Sequence, residues 1–255
     1  MNLPKAKKHL GQNFLTSEKA LNKIVNSGEI ETADFVLEIG PGTGNLTRLL
    51  YDKTKKFLAL EKDTDMQEYL KEFPVEFTDA MQFNPNELPK NYKVIANIPY
   101  YITSPLINHF LKEEFKKGSS GNPPKLMILL VQKEVAEKIC DPNYNSFLSI
   151  GIRTFGKPTF VGTVKKGCFV PMPKIDSAIL KIEVYPEPLV QCDLEKYFKI
   201  CSMAFANPRK KLSNNLKKYL LELEMTPGEF TEKTGIDLNL RAEKLSPKDF
   251  EKMVI

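Results

Sequence analysis

The chain has 255 residues, of which 42% are hydrophobic, so it can bury a full core, which excludes large-scale disorder. Lys and Arg outnumber Asp and Glu by 37 to 32, which favours a polyanionic partner without identifying one. The four cysteines lack the close pairwise spacing of a zinc site and predict reduced thiols in a cytoplasmic protein.

The amino-terminal sequence shows no targeting pattern. Residues 1–8 are basic and lead into His9-Leu10-Gly11-Gln12 without an apolar stretch, and no later segment approaches the about 18 apolar residues of a membrane span. We therefore expect a protein that is neither secreted nor membrane-bound. His9 and His109 are isolated histidines without accompanying carboxylate ligands, so no metal site is predicted.

Short apolar runs alternate with helical patterns up to about residue 140, which predicts a mainly parallel sheet with helices. The predicted strands cover residues 35–39, 57–60, 75–77, 94–96 and 126–131. Two further β segments, 160–164 and 178–184, are expected to close the sheet as a hairpin-like pair. Residues 116–125 contain Gly and Pro pairs and predict an exposed loop.

The pattern becomes helical after Pro186-Glu187-Pro188, where apolar residues recur at helical spacing. Thr226-Pro227 and Ser246-Pro247 each place a capping hydroxyl before a proline, which predicts that a short helix begins at each site. We therefore expect an α/β domain over residues 1–187 and a small all-α domain over residues 188–255.

A glycine-rich turn, Gly40-Pro41-Gly42-Thr43-Gly44, joins the strand predicted at 35–39 to a helix. Glycines let the backbone approach a ligand closely. A dinucleotide site would need a third glycine where Asn45 stands, which disfavours an NAD-dependent dehydrogenase. Glu61 ends the next strand, where its carboxylate can accept both ribose hydroxyls of an adenosine-containing cofactor.

Two further polar side chains follow neighbouring strands. Asp79 comes after the strand at 75–77 and can accept a hydrogen bond from a cofactor's adenine amino group. Asn97 follows the strand at 94–96. Because ligands collect at the carboxyl ends of the strands in such sheets, we expect the glycine turn, Glu61, Asp79 and Asn97 to share one site.

The tetrapeptide Asn97-Ile98-Pro99-Tyr100 is suited to a planar amine. The side-chain oxygen of Asn97 and the carbonyl oxygen of Pro99 can accept the two N6 hydrogens of adenine and aim a pyramidal nitrogen at an electrophilic methyl group. Tyr100 can stack on the base, which would first leave its own stack in paired RNA. This chemistry requires neither a metal nor a strong general base.

These motifs resemble those of the KsgA family of small-subunit rRNA adenine N6,N6-dimethyltransferases over nearly the full chain. Residues 10–15, 38–47 and 97–100 are similar to that family's opening cofactor motif, glycine turn and catalytic tetrapeptide. Residues 169–178, 209–216 and 241–246 are similar to its target-base loop and its carboxy-terminal helical signatures. The resemblance implies a class I, Rossmann-like, seven-stranded methyltransferase domain with a helical domain that contacts RNA.

The resemblance also implies residue roles. S-adenosylmethionine would be bound by Asn13, Leu15, Gly40, Gly42, Glu61 and Asp79, with Asn97 shared between cofactor and target. Phe169 would supply a second aromatic face opposite Tyr100. The implied reaction is dimethylation of two adjacent adenosines near the 3′ end of 16S rRNA, in the 30S subunit or its precursor, by a monomeric cytoplasmic enzyme with a role in small-subunit biogenesis.

The segment 208–218 carries basic residues and no acidic residue. We expect its five basic side chains to contact RNA phosphates: Arg209, Lys210, Lys211, Lys217 and Lys218. Lys5, Lys7 and Lys8 form a second candidate contact.

Three residues depart from the family's usual pattern: Ile98 replaces a leucine, Met172 a proline and Pro208 an arginine. Isoleucine at the first of these positions is usual in the related Erm enzymes, so an Erm-like large-subunit rRNA methyltransferase is one alternative. A non-catalytic ribosome assembly factor with the same fold is another. The segments 169–178 and 241–246 favour the small-subunit branch.

Overall fold

The computed structural model describes residues 4–7 and 10–255, apart from the side chain of Ser119. Lys8 and His9 therefore lie outside the described residues. The chain forms two compact units. The first runs to Glu137 and also includes Lys157–Pro186, and the second comprises Lys138–Gly156 and Glu187–Ile255.

The first unit is built on a sheet whose strands match the apolar runs of the sequence. The strands of the described residues are β1 (Phe14–Leu15), β2 (Val36–Ile39), β3 (Phe57–Glu61), β4 (Val75–Phe77), β5 (Lys93–Ala96), β6 (Leu126–Gln132), β7 (Gly156–Val164), β8 (Phe169–Val170) and β9 (Ser177–Val184). Seven of them form one sheet in the order β4-β3-β2-β5-β6-β9-β7, and β1 pairs with β8 in a separate small sheet.

The central part of the sheet is parallel, as predicted. Strands β4, β3, β2, β5 and β6 run parallel to their neighbours, while β9 runs antiparallel to β6. Strands β2 and β5 are buried along their whole length, as expected for a sheet covered on both faces. The predicted α/β class is confirmed.

Helices flank the sheet and build the second unit. They are α1 (Glu18–Ser27), α2 (Asn45–Lys53), α3 (Gln67–Leu70), α4 (Thr103–Ile107), α5 (Glu113–Lys116), α6 (Lys133–Cys140), α7 (Phe147–Phe155), α8 (Leu194–Phe205), α9 (Leu212–Asn215), α10 (Lys217–Glu222), α11 (Pro227–Thr234) and α12 (Pro247–Lys252). Thr226 and Ser246 form capping boxes at the starts of α11 and α12, where the sequence predicted them. Across the described ranges, no helix has the length and apolarity needed to cross a membrane.

Helix α7 belongs to the second unit, whereas the sequence assigned it to the first domain. The rings of Phe147 and Phe155 lie 6.3 Å and 5.6 Å from that of Phe198 in α8. The hydroxyl of Thr154 lies 3.0 Å from that of Tyr197. These partners lie 43 to 51 residues further along the chain, beyond the range over which a local sequence pattern can be detected.

The segment 116–125 is less exposed than predicted, because Gly121 and Asn122 are buried. The Asn122 amide donates to the carbonyl oxygens of Pro85 and Leu88 at 2.8 Å and 3.0 Å. A Cβ atom at Gly121 would lie 1.9 Å from the backbone oxygen of Glu114. Pro124 is buried as well, so the prediction of an exposed loop was wrong for these three residues.

A buried ion pair joins three segments at the amino ends of the strands. The ammonium of Lys93 lies 2.7 Å from one carboxylate oxygen of Asp34 and donates to the carbonyl oxygens of Gly28 and Glu29 at 2.9 Å and 2.6 Å. The other Asp34 oxygen lies 2.5 Å from Lys125. Burial raises the pKa of Asp34, but hydrogen bonds from Lys125 and Lys93 outweigh it and hold that pKa at about 2.

Candidate active site

A cleft at the carboxyl ends of the central strands brings together all the residues predicted for catalysis and cofactor binding. It encloses about 1080 Å³, including its open mouth, which is close to the upper limit of about 1,000 Å³ for small-molecule sites. The predicted residues among its lining are Asn13, Leu15, Gly40, Gly42, Glu61, Asp79, Asn97, Pro99, Tyr100 and Phe169. The residues from Gly40 to Tyr100 meet because the parallel strands end at the same edge of the sheet, whereas Leu15 and Phe169 lie in the separate β1–β8 pair.

The glycine turn adopts a backbone conformation that side chains disfavour. Gly40, Gly42 and Gly44 have φ angles of 72°, 56° and 76°, in the left-handed region. A Cβ atom at Gly42 would lie 3.2 Å from the ring of Phe14. The turn therefore requires glycine at position 42 both for its conformation and for its contact with the amino-terminal segment.

Asn45 occupies the position at which a dinucleotide site would have glycine, and the structure gives its side chain a role. Its amide donates to the carbonyl oxygen of Leu15 at 3.0 Å. The sequence assigned no such contact to Asn45. This hydrogen bond holds β1 against the start of α2, so Leu15 lies next to the glycine turn.

The amino-terminal segment is also fixed further upstream. The Gln12 amide donates to Asp63 at 2.7 Å, and the ammonium of Lys7 lies 2.6 Å from the other oxygen of that buried carboxylate. Lys7 also contacts Asp65 at 2.5 Å. The Asn13 amide donates to the carbonyl oxygen of Gly11 at 3.0 Å. Lys7, which the sequence offered as an RNA contact, is thus engaged by two carboxylates.

Glu61 and Asp79 differ in their surroundings. The buried carboxylate of Glu61 accepts hydrogen bonds from the backbone N–H groups of Gly42 and Asp63, at 2.9 Å and 2.8 Å, and burial raises its pKa. Asp79 pairs with Lys62 at 2.7 Å, which lowers the pKa of that carboxyl group. Both carboxylates face the cleft with their orientation fixed by neighbours.

The segment Asn97–Tyr100 leaves the end of β5 and enters a short 3-10 turn. Asn97 is half-buried, and Ile98 is buried. The carbonyl oxygen of Pro99 accepts the backbone N–H of Ile102 at 3.1 Å, and a carbonyl oxygen has a second lone pair for another donor. The hydroxyl of Tyr100 lies 2.6 Å from that of Ser177.

Phe169 lines the cleft but is almost fully covered. Its side chain is 4% exposed and belongs to the apolar cluster that contains Leu15 and Leu21. It lies opposite Leu15 in the pairing of β1 with β8. The prediction that Phe169 provides an aromatic face opposite Tyr100 stays a prediction.

Glu38 also lines the cleft, although the sequence did not identify it as a site residue. This glutamate lies in β2 and is 1% exposed. One of its carboxylate oxygens has no hydrogen-bond partner among the described residues. Burial raises the pKa of Glu38 to about 8. In the sequence, the indication that Glu38 is special is that it is a single glutamate within the apolar strand that precedes Gly40.

Replacing Glu38 with glutamine is expected to change how stability depends on pH. From its ordinary value of 4.5 up to about 8, the folded protein holds a proton that the unfolded chain has lost, so the wild type loses stability as pH rises through that window. The variant lacks this loss. Its free energy of unfolding, relative to wild type, should rise by on the order of 4 kcal/mol between mildly acidic and mildly alkaline urea titrations.

The five predicted RNA-binding residues lie in the second unit, and all are exposed: Arg209, Lys210, Lys211, Lys217 and Lys218. The Asn215 amide shapes the connection between α8 and α9 by donating to the carbonyl oxygens of Ala204 and Asn207, at 2.6 Å and 3.0 Å. Exposure leaves these cations accessible to a polyanion.

Comparisons with known proteins agree with the geometry. Residues 3–255 match the family model for ribosomal RNA adenine dimethylase. The chain is 37% identical to ribosomal RNA small subunit methyltransferase A of Clostridium botulinum (strain Loch Maree / Type A3), with 98% of this chain and 93% of the relative covered.

Two solved structures share the fold. A dimethyladenosine transferase from Plasmodium falciparum has a TM-score of 0.75 at 26% identity, covering 94% of this chain and 95% of its own. The 23S rRNA methyltransferase ErmE has a TM-score of 0.71 at 24% identity, covering 95% and 98%. These likenesses confirm the predicted methyltransferase fold. Because the family model spans almost the whole sequence, the chain belongs to the ribosomal RNA adenine dimethylase family, as its motifs indicated.

Proposed function

We propose that this protein transfers methyl groups from S-adenosylmethionine to N6 of two adjacent adenosines near the 3′ end of small-subunit (16S) rRNA. It would act in the cytoplasm on the 30S subunit or its precursor, during small-subunit biogenesis. The observation that carries the proposal is that the Asn97–Tyr100 segment opens into the same cleft as the glycine turn, Glu61 and Asp79. Family membership supports the adenine target, and the relative's name supports the small subunit.

The residues of the cleft fit S-adenosylmethionine in kind. The glycine turn leaves room beside a ligand, Glu61 offers carboxylate oxygens to ribose hydroxyls, and Asp79 can accept from an adenine amino group. Glu38 adds a buried carboxyl group with one unpartnered oxygen, and a positively charged ligand beside it would favour its ionised form. When bound, S-adenosylmethionine supplies an electrophilic methyl group.

The chain's own contribution to the reaction is orientation of the amine. The Asn97 side-chain oxygen and the free lone pair of the Pro99 carbonyl accept the N6 hydrogens, which localises the nitrogen lone pair. Tyr100 stacks on the ring. With S-adenosylmethionine bound as the methyl donor, each transfer to the amine would release one N6 proton to solvent.

The test is transfer of radiolabelled methyl groups to purified, unmethylated small subunits, with large subunits in parallel. The labelled nucleoside is then identified by chromatography. Label recovered as N6,N6-dimethyladenosine in small subunits alone is the expected result. Label confined to large subunits would favour an Erm-like activity, and tight small-subunit binding without label would favour an assembly factor.

Glu61 provides a test of the cofactor site. We expect Glu61→Ala to weaken S-adenosylmethionine binding about 10- to 100-fold, because hydrogen bonds to a charged group contribute about 1.5–3 kcal/mol. Calorimetric titration measures the affinity. Glu68→Ala, which removes a carboxylate whose side chain is 82% exposed, is the control and should bind as wild type does. Unchanged affinity in Glu61→Ala would mean that the ribose is held elsewhere.

We also propose that residues 188–255 form an RNA-contacting domain through the five exposed basic residues. Their engagement predicts that affinity for small subunits falls on the order of 10²- to 10³-fold between 50 mM and 200 mM salt. Replacing both Lys217 and Lys218 with glutamine should reduce the slope of log K against log salt by about 2. Lys233→Gln, in α11, is the control, and a slope unchanged by the double substitution would remove this surface from the RNA contact.

A further inference from the structure

The hydroxyl of Tyr100 forms a hydrogen bond with a residue from a different part of the fold. Ser177 is fully buried, and its oxygen lies 2.6 Å from the Tyr100 oxygen. Tyr100 follows the end of β5, whereas Ser177 opens β9, 77 residues later. The hydrogen bond therefore connects a residue of the cleft to a strand that is far from it in sequence.

The position of Ser177 is fixed by its surroundings. Strand β9 pairs with β6 over seven residues, from Leu126↔Glu183 to Gln132↔Ser177. The hydroxyl of Ser177 has a fixed position, because the strand that carries it is held along its length by backbone hydrogen bonds to β6.

Asp176, the residue before Ser177, accepts three further hydrogen bonds. The carbonyl oxygen of Asp176 accepts the backbone N–H of Lys133 at 3.0 Å. Its carboxylate accepts the backbone N–H of Lys166 and the ammonium of Lys165, each at 2.9 Å. The chain is thus held where the segment that follows Phe169 rejoins the sheet.

The Tyr100 ring is consequently held at both ends. Its Cα belongs to the turn that begins after Pro99, and its hydroxyl is held by Ser177. Two attachment points restrict the tilt of an aromatic ring, and stacking on a planar base depends on that tilt. A ring held at one end only would sample several tilts and would present the base less often in the reactive geometry.

We infer that Ser177 is a positioning residue that sets the orientation of the Tyr100 ring against the target adenine. The inference rests on the proposed function, since it requires a base in the cleft. Ser177 itself does not contact the reacting atoms. It acts through the Tyr100 hydroxyl, so its effect disappears when that hydroxyl is absent.

The test is a double-mutant cycle of Ser177→Ala and Tyr100→Phe, with kcat and KM measured for methyl transfer to unmethylated small subunits. Each single variant should lower kcat about 10-fold, while affinity for S-adenosylmethionine stays as in wild type. The double variant should lose no more than either single variant, because both remove the same hydrogen bond. Thermal melting monitored by circular dichroism establishes that each variant is folded.

Thr154→Ala is the matched control, because it removes a buried hydroxyl that lies 3.0 Å from a tyrosine hydroxyl in the second unit. It should reduce stability without lowering kcat. The role of Ser177 would be overturned if Ser177→Ala had wild-type activity, or if the losses of kcat in the two single variants multiplied in the double variant. Either result would leave the proposed function intact. A wild-type protein without methyl transfer would overturn the proposed function, and the role of Ser177 with it.

Discussion

Replacing Asn97 with alanine is expected to lower the rate of methyl transfer by about 100-fold or more while leaving affinity for S-adenosylmethionine largely unchanged. The side-chain oxygen of Asn97 would bind the amine most strongly as the nitrogen becomes pyramidal, so its loss acts on the transition state. Single-turnover transfer to unmethylated small subunits, together with calorimetric titration of the cofactor, separates the two effects.

The control for this experiment is Asn86→Ala. Asn86 is exposed and lies in the same compact unit, so its replacement should change neither rate nor affinity. Equal rates for wild type and Asn97→Ala would remove Asn97 from the mechanism. A large loss of cofactor affinity in Asn97→Ala would mean that this side chain serves the cofactor more than the target base.

Replacing Lys93 with methionine is expected to lower the free energy of unfolding by about 3–5 kcal/mol, since it leaves a buried carboxylate without its buried partner. The carbonyl oxygens of Gly28 and Glu29 also lose their donor. Urea titration at neutral pH measures the change. The other partner of Asp34 is Lys125, and the Lys125 side chain is 41% exposed. Lys125→Met should therefore lower the free energy of unfolding by about 1 kcal/mol or less.

Lowering the pH should reduce the difference in free energy of unfolding between wild type and Lys93→Met. The pKa of Asp34 is about 2 in the folded protein, against an ordinary value of 3.8. The ion pair therefore contributes stability above about pH 4, and this contribution disappears as pH falls toward 2. A difference that stays constant over this range, or a Lys93→Met cost no larger than that of Lys125→Met, would contradict the assigned role of the pair.

The parallel strands and the composition of the cleft could be predicted from the sequence because their signals are local. An apolar run such as Val94-Ile95-Ala96 followed by Asn97 identifies both a strand and the functional residue at its end. The parallel arrangement then brings such ends together without any knowledge of side-chain contacts. The same reasoning located Glu61 and Asp79.

What the sequence did not reveal depends on contacts between distant residues. The strands β1 and β8 contain two residues each and form only because they meet each other. Their pairing covers Phe169, and no local pattern could show this. Helix α7 likewise joins the second unit through contacts with α8, and Asn122 is buried because carbonyl oxygens of Pro85 and Leu88 accept its amide hydrogens.

The pairing of Leu15 with Phe169 has a consequence for how two ligands would influence each other. The family resemblance implies that Leu15 binds the cofactor and that Phe169 contacts the target base, and these two residues pair within one small sheet. A ligand that orders this sheet reduces the entropy cost that the other ligand must meet. We therefore expect heterotropic cooperativity: RNA should raise cofactor affinity by the same factor by which cofactor raises RNA affinity.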